Sequence, residues 1–477
     1  MVSRRSCRAL ALASVATLIA LASVAAAGAA PARHGNAKAI SLTIAANSVV
    51  GGKNDAGAKW IVNYVIPNFE KQMSAAGNPV DVRFQGTGVA DEAYKTQQAL
   101  DLKTGGGADV IAIDGIWVGE FAEAGYIKPL DQISGPSVNS WDGWSQVPKA
   151  VQANMSFQGK RYGVPSGTDG RVLFFNKSLF QKAGLSTKWQ PRSWADIITT
   201  ARKLKAKLQG VTPLQINAGT AMGEATTAQG FLPLLVGTGK NIYDTQARKW
   251  LGNTKNIRDV LTFYRQVYRG KPALGDADLQ LRADGRDRSF QEFSQGKIAI
   301  LGEGDYFWRG VVNPKGGIDP MTDRNSVVGW ALIPAERPHS GVKGPAFKRP
   351  QSFVSVSGGG GYVLNPHTSH PKEAWQLLAF MSSKDATKAA VATAPRITER
   401  SDVNKETLFA DPLLGFVSRN VLPITTFRPG FAVYPQVSQL LQLASQQVVS
   451  GTSVQRAAQN YQNALVKLVG AKAVASS

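Results

Sequence analysis

Charged and aromatic side chains stand together at four points of the sequence, beside segments of apolar residues. The four groups are Asp114 with Trp117, Asp169 with Arg171, then Glu303, Asp305, Tyr306 and Trp308, and finally Arg428 with Tyr434. Carboxylates and guanidinium groups form hydrogen bonds with the hydroxyl groups of a solute, and aromatic rings cover its flat apolar faces. The carboxylates could also supply the acid pair of a glycoside hydrolase, drawn from Asp114, Asp169, Glu303 and Asp305. The residue types therefore suit either binding or acid-base catalysis.

Each group also has a purely structural interpretation. The tryptophan of the first group could begin a core helix, and the second group could be an ion pair in a solvated segment. The third group could form a surface loop, and the fourth flanks Pro429 and Pro435, where loop packing is an equal alternative. The four glycines at residues 358–361 either form a flexible loop or let the backbone approach a ligand closely, which makes Gly360 a further candidate.

Sequence signatures of common enzyme classes are absent. The chain contains no G-x-S-x-G, no H-E-x-x-H and no G-x-x-x-x-G-K-[ST]. Two of the four histidines, His367 and His370, lie in a proline-bounded turn that has no acidic residue or third histidine beside it. A metal site needs more ligands than this turn offers. We therefore expect no metal, no cofactor and no catalysis.

The first 30 residues have the composition of an export signal. Arg4, Arg5 and Arg8 precede a segment rich in Ala, Leu and Val, which ends in small residues suited to cleavage. The only cysteine, Cys7, lies before the apolar segment, whereas a lipoprotein needs a cysteine just after it. We predict that residues 1–30 are removed and that the protein is periplasmic or extracellular without a lipid anchor. A retained membrane anchor is the alternative.

The chain is strongly basic, with a formal net charge of +21. Removal of residues 1–30 would take away three arginines and leave +18. Such a charge attracts polyanions. The densest clusters, at residues 202–207 and 282–288, contain no run of five basic residues, and the second is interleaved with Asp284 and Asp287. A basic solvated surface is therefore the favoured interpretation, and a nucleic-acid partner is not expected.

Strand and helix patterns alternate along the chain, which predicts an α/β fold with a covered parallel sheet. Residues 40–46, 80–84 and 108–113 have the pattern of strands. Residues 59–75 and 91–103 have apolar side chains at helical spacing. A further helix is predicted over residues 193–208, with Ser193 as its cap. Two amphipathic helices are predicted at the end of the chain, over residues 436–449 and 454–469.

Six segments carry recognisable patterns in a fixed order. They are ADVIAIDGIWVGEFAEAGYIKPLD (residues 108–131), GKRYGVPSGTDGRVLFFNK (159–177), PRSWADIITTARKLK (191–205), FSQGKIAILGEGDYFWRG (293–310), VGWALIPA (328–335) and GGGGYVLNPHTSHPKEAWQLLAFMSS (358–383). The second has the tight turn, strand, polar stretch and strand of an interlobe linker. Over residues 41–468 the series resembles the sugar-binding, maltose-binding-protein-like family of bacterial ABC-importer solute-binding proteins.

The resemblance implies a two-lobed periplasmic-binding-protein fold in which discontinuous lobes, joined by hinge crossings, enclose a ligand cleft. The first lobe would comprise residues 38–168 and 335–393, and the second residues 169–334 and 394–470. The crossings would lie near residues 166–171, 333–336 and 391–396. The function implied is the solute-binding component of an ABC import system, a monomer that binds a sugar or oligosaccharide and delivers it to a membrane permease.

Within this resemblance, the loop after Asp114 would reach the ligand from the first lobe, and the stretch from Arg428 to Tyr434 would line the second. The loop GEGDYFWR departs from the family pattern and displaces the expected aromatic to Tyr306 or Trp308. The nature of the solute stays open, because several arginines near the cleft would also suit an acidic sugar or a polyol phosphate. The alternative function is a secreted carbohydrate-active enzyme with a carboxylate pair.

Overall fold

The computed structural model describes residues 39–342 and 350–476, so the predicted export signal (residues 1–30) lies outside the described residues. The strands are β1 (Ile40–Ala46), β2 (Val80–Gly86), β3 (Val110–Asp114), β4 (Ser156–Phe157), β5 (Lys160–Arg161), β6 (Gly163–Pro165), β7 (Arg171–Asn176), β8 (Gln215–Ile216), β9 (Tyr243–Asp244), β10 (Lys249–Leu251), β11 (Ile300–Gly304), β12 (Val328–Ala331), β13 (Ile333–Pro334), β14 (Phe353–Ser357), β15 (Gly360–Leu364), β16 (Thr425–Phe427) and β17 (Val474–Ala475).

The α-helices cover the sheets and the chain end. They are α1 (Asp55–Trp60), α2 (Ile66–Ala75), α3 (Asp91–Lys103), α4 (Val118–Glu123), α5 (Leu130–Ser134), α6 (Lys149–Gln152), α7 (Lys177–Lys182), α8 (Trp194–Lys207), α9 (Leu232–Gly237), α10 (Lys255–Arg269), α11 (Ala277–Gln280), α12 (Gly285–Ser294), α13 (Arg324–Val327), α14 (Pro371–Met381), α15 (Lys384–Thr393), α16 (Ser401–Thr407), α17 (Pro412–Phe416), α18 (Tyr434–Val449) and α19 (Val454–Val469).

The sheet of the first lobe has five strands in the order β2-β1-β3-β15-β6. Strand β1 pairs in parallel with β2 and β3, while β15 runs antiparallel between β3 and β6. Helices pack on both faces, so β3 is apolar almost throughout, as expected for a covered strand. Its Val110 and Ile111 are completely buried. The predicted α/β fold is confirmed here.

The sheet of the second lobe has the order β12-β7-β11-β8. Strand β7 is buried at every residue and pairs antiparallel with β11 and β12, and β11 pairs in parallel with β8. Because β8 and β11 are parallel, their carboxyl ends meet at one edge of the sheet. This edge carries Asn217, Glu303 and Asp305.

Local signals in the sequence explain where several helices begin. Ser193 caps α8, and its Oγ accepts a hydrogen bond of 3.2 Å from the Asp196 N–H, as the capping-box pattern predicts. Residues 59–75 are helical throughout, as predicted. The segment Ile61–Val65 forms a π-helical turn between the α-helices α1 and α2. Pro67 follows this turn at the second position of α2, where a missing N–H is tolerated.

Three short segments connect the two lobes. Residues 166–170 lead from β6 to β7, and residues 358–359 lead from β14 back to β15. After α15, Ala390 packs in the core of the first lobe and Ile397 in that of the second, so the chain crosses between them.

The second crossing lies later than the sequence predicted. Residues 336–342 stay with the second lobe, since the Glu336 N–H donates to the Gly237 carbonyl at 3.0 Å and the Val342 N–H to the Val236 carbonyl at 2.7 Å. Strand β14 then pairs with β13 and β16 instead of joining the first sheet. The predicted boundary at residue 335 is therefore wrong, because the chain returns to the first sheet only at β15.

Candidate ligand-binding site

Charged side chains from both lobes meet where the strand ends and the crossings come together. Asp114 ends β3 in the first lobe, and Arg428 follows β16 in the second. The Arg428 Nη2 donates to the Asp114 Oδ1 at 3.0 Å, so a hydrogen-bonded ion pair joins the lobes. The lobes also approach backbone to backbone, since a Cβ added to Gly119 would lie 2.9 Å from the Gly430 carbonyl oxygen.

Arg428 is held by acidic groups on two sides. Its Nη1 donates to the Glu224 Oε1 at 3.1 Å, and Glu224 also accepts from the Tyr434 hydroxyl at 2.8 Å and from the Ser438 hydroxyl. The Arg428 side chain is only 7% exposed. Burial alone would lower its pKa, but the two carboxylates of Asp114 and Glu224 raise the pKa above its ordinary value. The guanidinium is therefore a permanent cation in this position.

The first crossing contributes a second ion pair. Asp169 pairs with the Arg171 Nη1, and its Oδ1 accepts from the Gly358 N–H at 2.8 Å. The Arg171 Nε donates to the Gln229 Oε1 at 2.8 Å. Burial opposes ionisation of Asp169, but Arg171 and the Gly358 N–H outweigh it and hold its pKa below the usual range. Asp169 therefore stays ionised while part of its side chain remains exposed.

Two further ion pairs lie at the carboxyl end of β11. Glu303 is completely buried and accepts two hydrogen bonds from Arg286, at 2.8 and 2.9 Å. Asp305 is also buried and accepts from the Arg309 Nε at 3.0 Å and from the Gly170 N–H at 3.2 Å. Burial, and the nearby carboxylate of Asp169, raise the pKa of Asp305. Arg286 and Arg309 stay partly exposed, whereas their carboxylate partners do not.

Tyr306 presents the aromatic surface of this site. It precedes the π-helical turn Phe307–Val311 and remains half-buried, with its ring against Gly310 and 5.6 Å from the Arg309 guanidinium. Burial raises the pKa of its hydroxyl, so the hydroxyl is protonated at neutral pH. This arrangement leaves a ring and a neutral O–H beside the ion pairs.

Two predicted contact tryptophans belong to the core. Trp308 is completely buried, its Nε1 donates to Asp411 at 2.9 and 3.1 Å, and the Arg324 guanidinium lies 3.7 Å from its ring. Trp117 is also buried and packs with Phe121, with ring centroids 6.3 Å apart. The interpretation of Trp308 and Trp117 as ligand contacts is therefore wrong, because neither ring has a surface to offer.

The glycine run serves packing. A Cβ added to Gly360 would lie 2.4 Å from the Ile113 carbonyl oxygen in the neighbouring strand, so close strand approach accounts for this glycine without a ligand. A Cβ on Gly358 would lie 2.6 Å from the Arg428 Nη2. Close packing therefore accounts for both glycines, since Gly358 leaves the space that Arg428 occupies, and a ligand contact at Gly360 stays a prediction.

Of the remaining predicted residues, Asp114, Asp169 and Tyr306 are brought together with part of their surface open, and the nearly buried Arg428 joins the first two. Arg171, Glu303, Asp305 and Tyr434 lie beside them but are buried and orient their neighbours. The sequence did not single out Glu224 and Arg286. Glu224 follows β8, whose two residues are too few for a strand pattern, and Arg286 lies in a charged segment that the sequence assigned to the surface.

The site is nearly neutral overall. Four arginines, at positions 171, 286, 309 and 428, are paired with five carboxylates, at positions 114, 169, 224, 303 and 305. Within the described residues no group of three His, Cys, Asp or Glu is arranged to hold a metal ion. In that same part of the chain, no helix is long and apolar enough to span a membrane. These nine groups carry no surplus of positive charge, and Arg396, which interacts with Arg309 and Glu399, lies outside this count.

The family follows from comparison with known proteins. Residues 50–388 match the family model of bacterial extracellular solute-binding proteins. The match covers more than half of the chain, and the chain belongs to this family.

Solved structures have the same fold. The GacH receptor of Streptomyces glaucescens, determined unliganded and with acarbose, is 22% identical and matches with a TM-score of 0.71 over 91% of this chain and 100% of its own. An ABC-transporter solute-binding protein of Thermotoga lettingae with bound α-D-tagatose is 23% identical, with a TM-score of 0.69 over 90% of this chain and 100% of its own. The two-lobed periplasmic-binding-protein fold is thereby confirmed.

Curated relatives match over shorter stretches. A binding protein of Brucella abortus is 31% identical over 109 residues, which are 22% of this chain and 24% of the relative. The sn-glycerol-3-phosphate-binding periplasmic protein of Rhizobium meliloti is 29% identical over 84 residues, 18% of this chain and 20% of its own. The matched stretches thus span about a quarter or less of these relatives.

Proposed function

We propose that the protein is the exported solute-binding component of an ABC importer and that it binds a neutral sugar or oligosaccharide between its lobes. The observation that carries this proposal is the set of paired charges around Tyr306. Asp114, Asp169 and Arg309 each form an ion pair through one part of the side chain, and another part is exposed to solvent. The exposed atoms can form hydrogen bonds with the hydroxyl groups of a sugar. Acarbose and tagatose in the structural neighbours support a ligand of this kind.

Binding is expected to leave the sugar unchanged. Glu303 and Asp305 are buried against arginines, and Asp114 and Asp169 are engaged by Arg428 and Arg171, so the four candidate carboxylates offer no pair that is free of arginine partners. A glycoside hydrolase needs such a pair. This arrangement favours a binding protein over the secreted enzyme.

A ligand screen tests the proposed function. Thermal unfolding is followed with a panel of neutral sugars, oligosaccharides and sn-glycerol 3-phosphate, and every hit is titrated by calorimetry and recovered for analysis. We expect a neutral sugar to bind one to one, to be recovered intact, and to stabilise the fold by about 2.7 kcal/mol at one hundred times its dissociation constant. Binding of sn-glycerol 3-phosphate alone, or release of smaller sugars, would contradict the proposal.

Replacement of Tyr306 tests the contact surface. Removal of the ring in Tyr306→Ala should weaken sugar binding by up to about tenfold, since an aromatic contact contributes about 0.5–1.5 kcal/mol. Tyr306→Phe keeps the ring and should retain most of the affinity, and both variants should melt close to the unmodified protein. Equal affinity of Tyr306→Ala and the unmodified protein in calorimetry would remove this residue from the site.

The proposed function also includes export, a monomeric state and a permease partner. We expect cleavage near residues 25–32, a monomer in solution, and a membrane permease as partner. The basic residues and the Ala-rich segment at the start of the sequence support export. Amino-terminal sequencing of the exported protein should begin after residue 24, and a sequence that begins at Met1 would refute cleavage. Light scattering should give the mass of one chain.

A further inference from the structure

A group of exposed basic residues lies on helices α8 and α10 of the second lobe. Helices α8 and α10 pack side by side there, with the Trp194 and Phe263 ring centroids 5.3 Å apart. Residues 199–211 and 262–275, which hold most of these helices, contain no Asp or Glu. We call their exposed cations the basic face. They are Arg202, Lys203, Lys205, Lys207, Arg265, Arg269 and Lys271.

The carboxyl ends of both helices lie together. The segments that follow them are joined by a hydrogen bond of 3.0 Å from the Leu214 N–H to the Leu274 carbonyl. This contact brings the basic last turn of α8 and the residues after α10 to one end of the lobe. A helix carboxyl end also favours cations through its dipole.

The basic face lies at the end of the lobe opposite the candidate site. The chain passes from α8 into β8, and the Thr212 N–H donates to the Lys297 carbonyl at 2.8 Å, beside the amino ends of β8 and β11. Glu303 and Asp305 are at the carboxyl end of β11. A partner on the basic face would therefore leave the cleft between the lobes accessible.

The cations of the basic face are uncompensated. Within the described residues none of the seven has an ion-pair partner, in contrast to the arginines of the candidate site. The nearest acidic residues in sequence are Asp196, whose Oδ2 accepts from the Arg192 N–H, Asp259, which pairs with Lys255, and Asp276. Asp276 and the exposed Asp278 line a shallow cavity with Lys205, and neither lies within ion-pair distance of it. The Asp276 Oδ1 accepts from the N–H groups of Asp278 and Leu279.

The spacing of the cations and the lack of large exposed apolar side chains on the basic face favour one class of anionic partner. The cations are exposed and spread over two helices, so a linear polyanion contacts several at once, whereas a small anion would meet only one or two. None of the large apolar side chains that are exposed in the described residues lies in either segment. Proteins that dock on membranes through a helix usually insert such side chains. The face therefore suits a phosphate polymer better than a lipid surface.

We propose that the basic face binds an anionic phosphodiester polymer of the cell envelope and so retains the exported protein near its membrane. Retention near the membrane rests on the proposed export. Binding to the polymer rests on the basic face alone and does not depend on the solute in the cleft.

The test measures binding of the mature chain to purified poly(glycerol phosphate), with neutral dextran as a blank. A variant with Lys205→Gln, Lys207→Gln, Arg269→Gln and Lys271→Gln is compared with a control that carries Lys71→Gln, Lys103→Gln, Lys128→Gln and Lys372→Gln. The control removes four exposed lysines from the first lobe, so both variants lose the same net charge. Melting curves and sugar binding establish that both variants are folded.

Binding of the unmodified chain should weaken by about fifty-fold between 50 and 200 mM salt if four cations contact the polymer. The basic-face variant should lose at least tenfold in affinity at 50 mM salt, and the control less than threefold. Equal losses in the two variants would assign the effect to net charge and overturn the proposal. It would also be overturned by absence of binding at 50 mM salt, or by tighter binding to phosphatidylglycerol vesicles or oligodeoxythymidylate than to the polymer.

Discussion

Replacement of Trp308 by alanine should lower the free energy of unfolding by about 3–5 kcal/mol, the range for removal of a large aromatic side chain from a core. The indole is completely buried, packs edge-on against Trp330 with ring centroids 5.2 Å apart, and contacts Arg324. Its removal also takes a donor from Asp411, which caps α17. Chemical denaturation followed by circular dichroism measures the loss.

The more conservative Trp308→Phe separates the contribution of ring packing from that of the indole hydrogen bond to Asp411. It keeps an aromatic ring but removes the indole N–H, so it should cost less than the alanine variant. Asp411 would retain the hydrogen bonds of 2.9 Å from the N–H groups of Leu413 and Leu414. The folded fraction of either variant should bind sugar as the unmodified protein does. A normal denaturation curve with weakened sugar binding would instead return Trp308 to the contact surface.

The second large effect is expected at Arg428. Arg428→Ala should reduce stability by about 2–4 kcal/mol, somewhat less than a fully buried pair, because Asp114 and Glu224 keep part of their surface in water. Sugar binding should weaken as well, since the variant loses a hydrogen bond that joins the lobes. Lysine is a poor substitute, because one ammonium group cannot reproduce the two separate contacts of the guanidinium.

A double-mutant cycle assigns the stability loss to the contact between the lobes. Arg428→Ala, Asp114→Asn and the double variant are compared by denaturation, and a coupling free energy above about 0.5 kcal/mol is expected for residues in direct contact. The same cycle with Glu224→Gln measures the contact within the second lobe. Strict additivity with Asp114 would mean that the ion pair does not hold the lobes together in solution.

The elements that position the site could be predicted where the sequence is regular. The strand before Asp114 is almost entirely apolar and ends at a carboxylate, so both the strand and the exposed end were predictable. Asp169 lies in the first crossing, as the linker pattern indicates. Strand β8 was not predictable, because two residues carry no periodicity, and the loop that bears Glu224 was therefore missed.

The orientation of side chains in the loop after β11 could not be predicted. Tyr306 and Trp308 are two residues apart, and nothing in their spacing distinguishes a ligand contact from a core residue. The π-helical turn Phe307–Val311 buries Phe307 and Trp308 and leaves Tyr306 half-exposed. Trp308 contacts Asp411 and Arg324, which are distant in sequence, so its burial could not be inferred from the local sequence.

The position of β15 in the first sheet has a consequence for the order of events during synthesis. This strand lies between β3 and β6, yet it is made almost two hundred residues after β6. The emerging chain therefore cannot complete its first sheet until about three quarters of it has left the ribosome, and pairing over such a separation is slow. A long interval with an open sheet keeps the chain in a form that a secretion channel for unfolded polypeptides can accept.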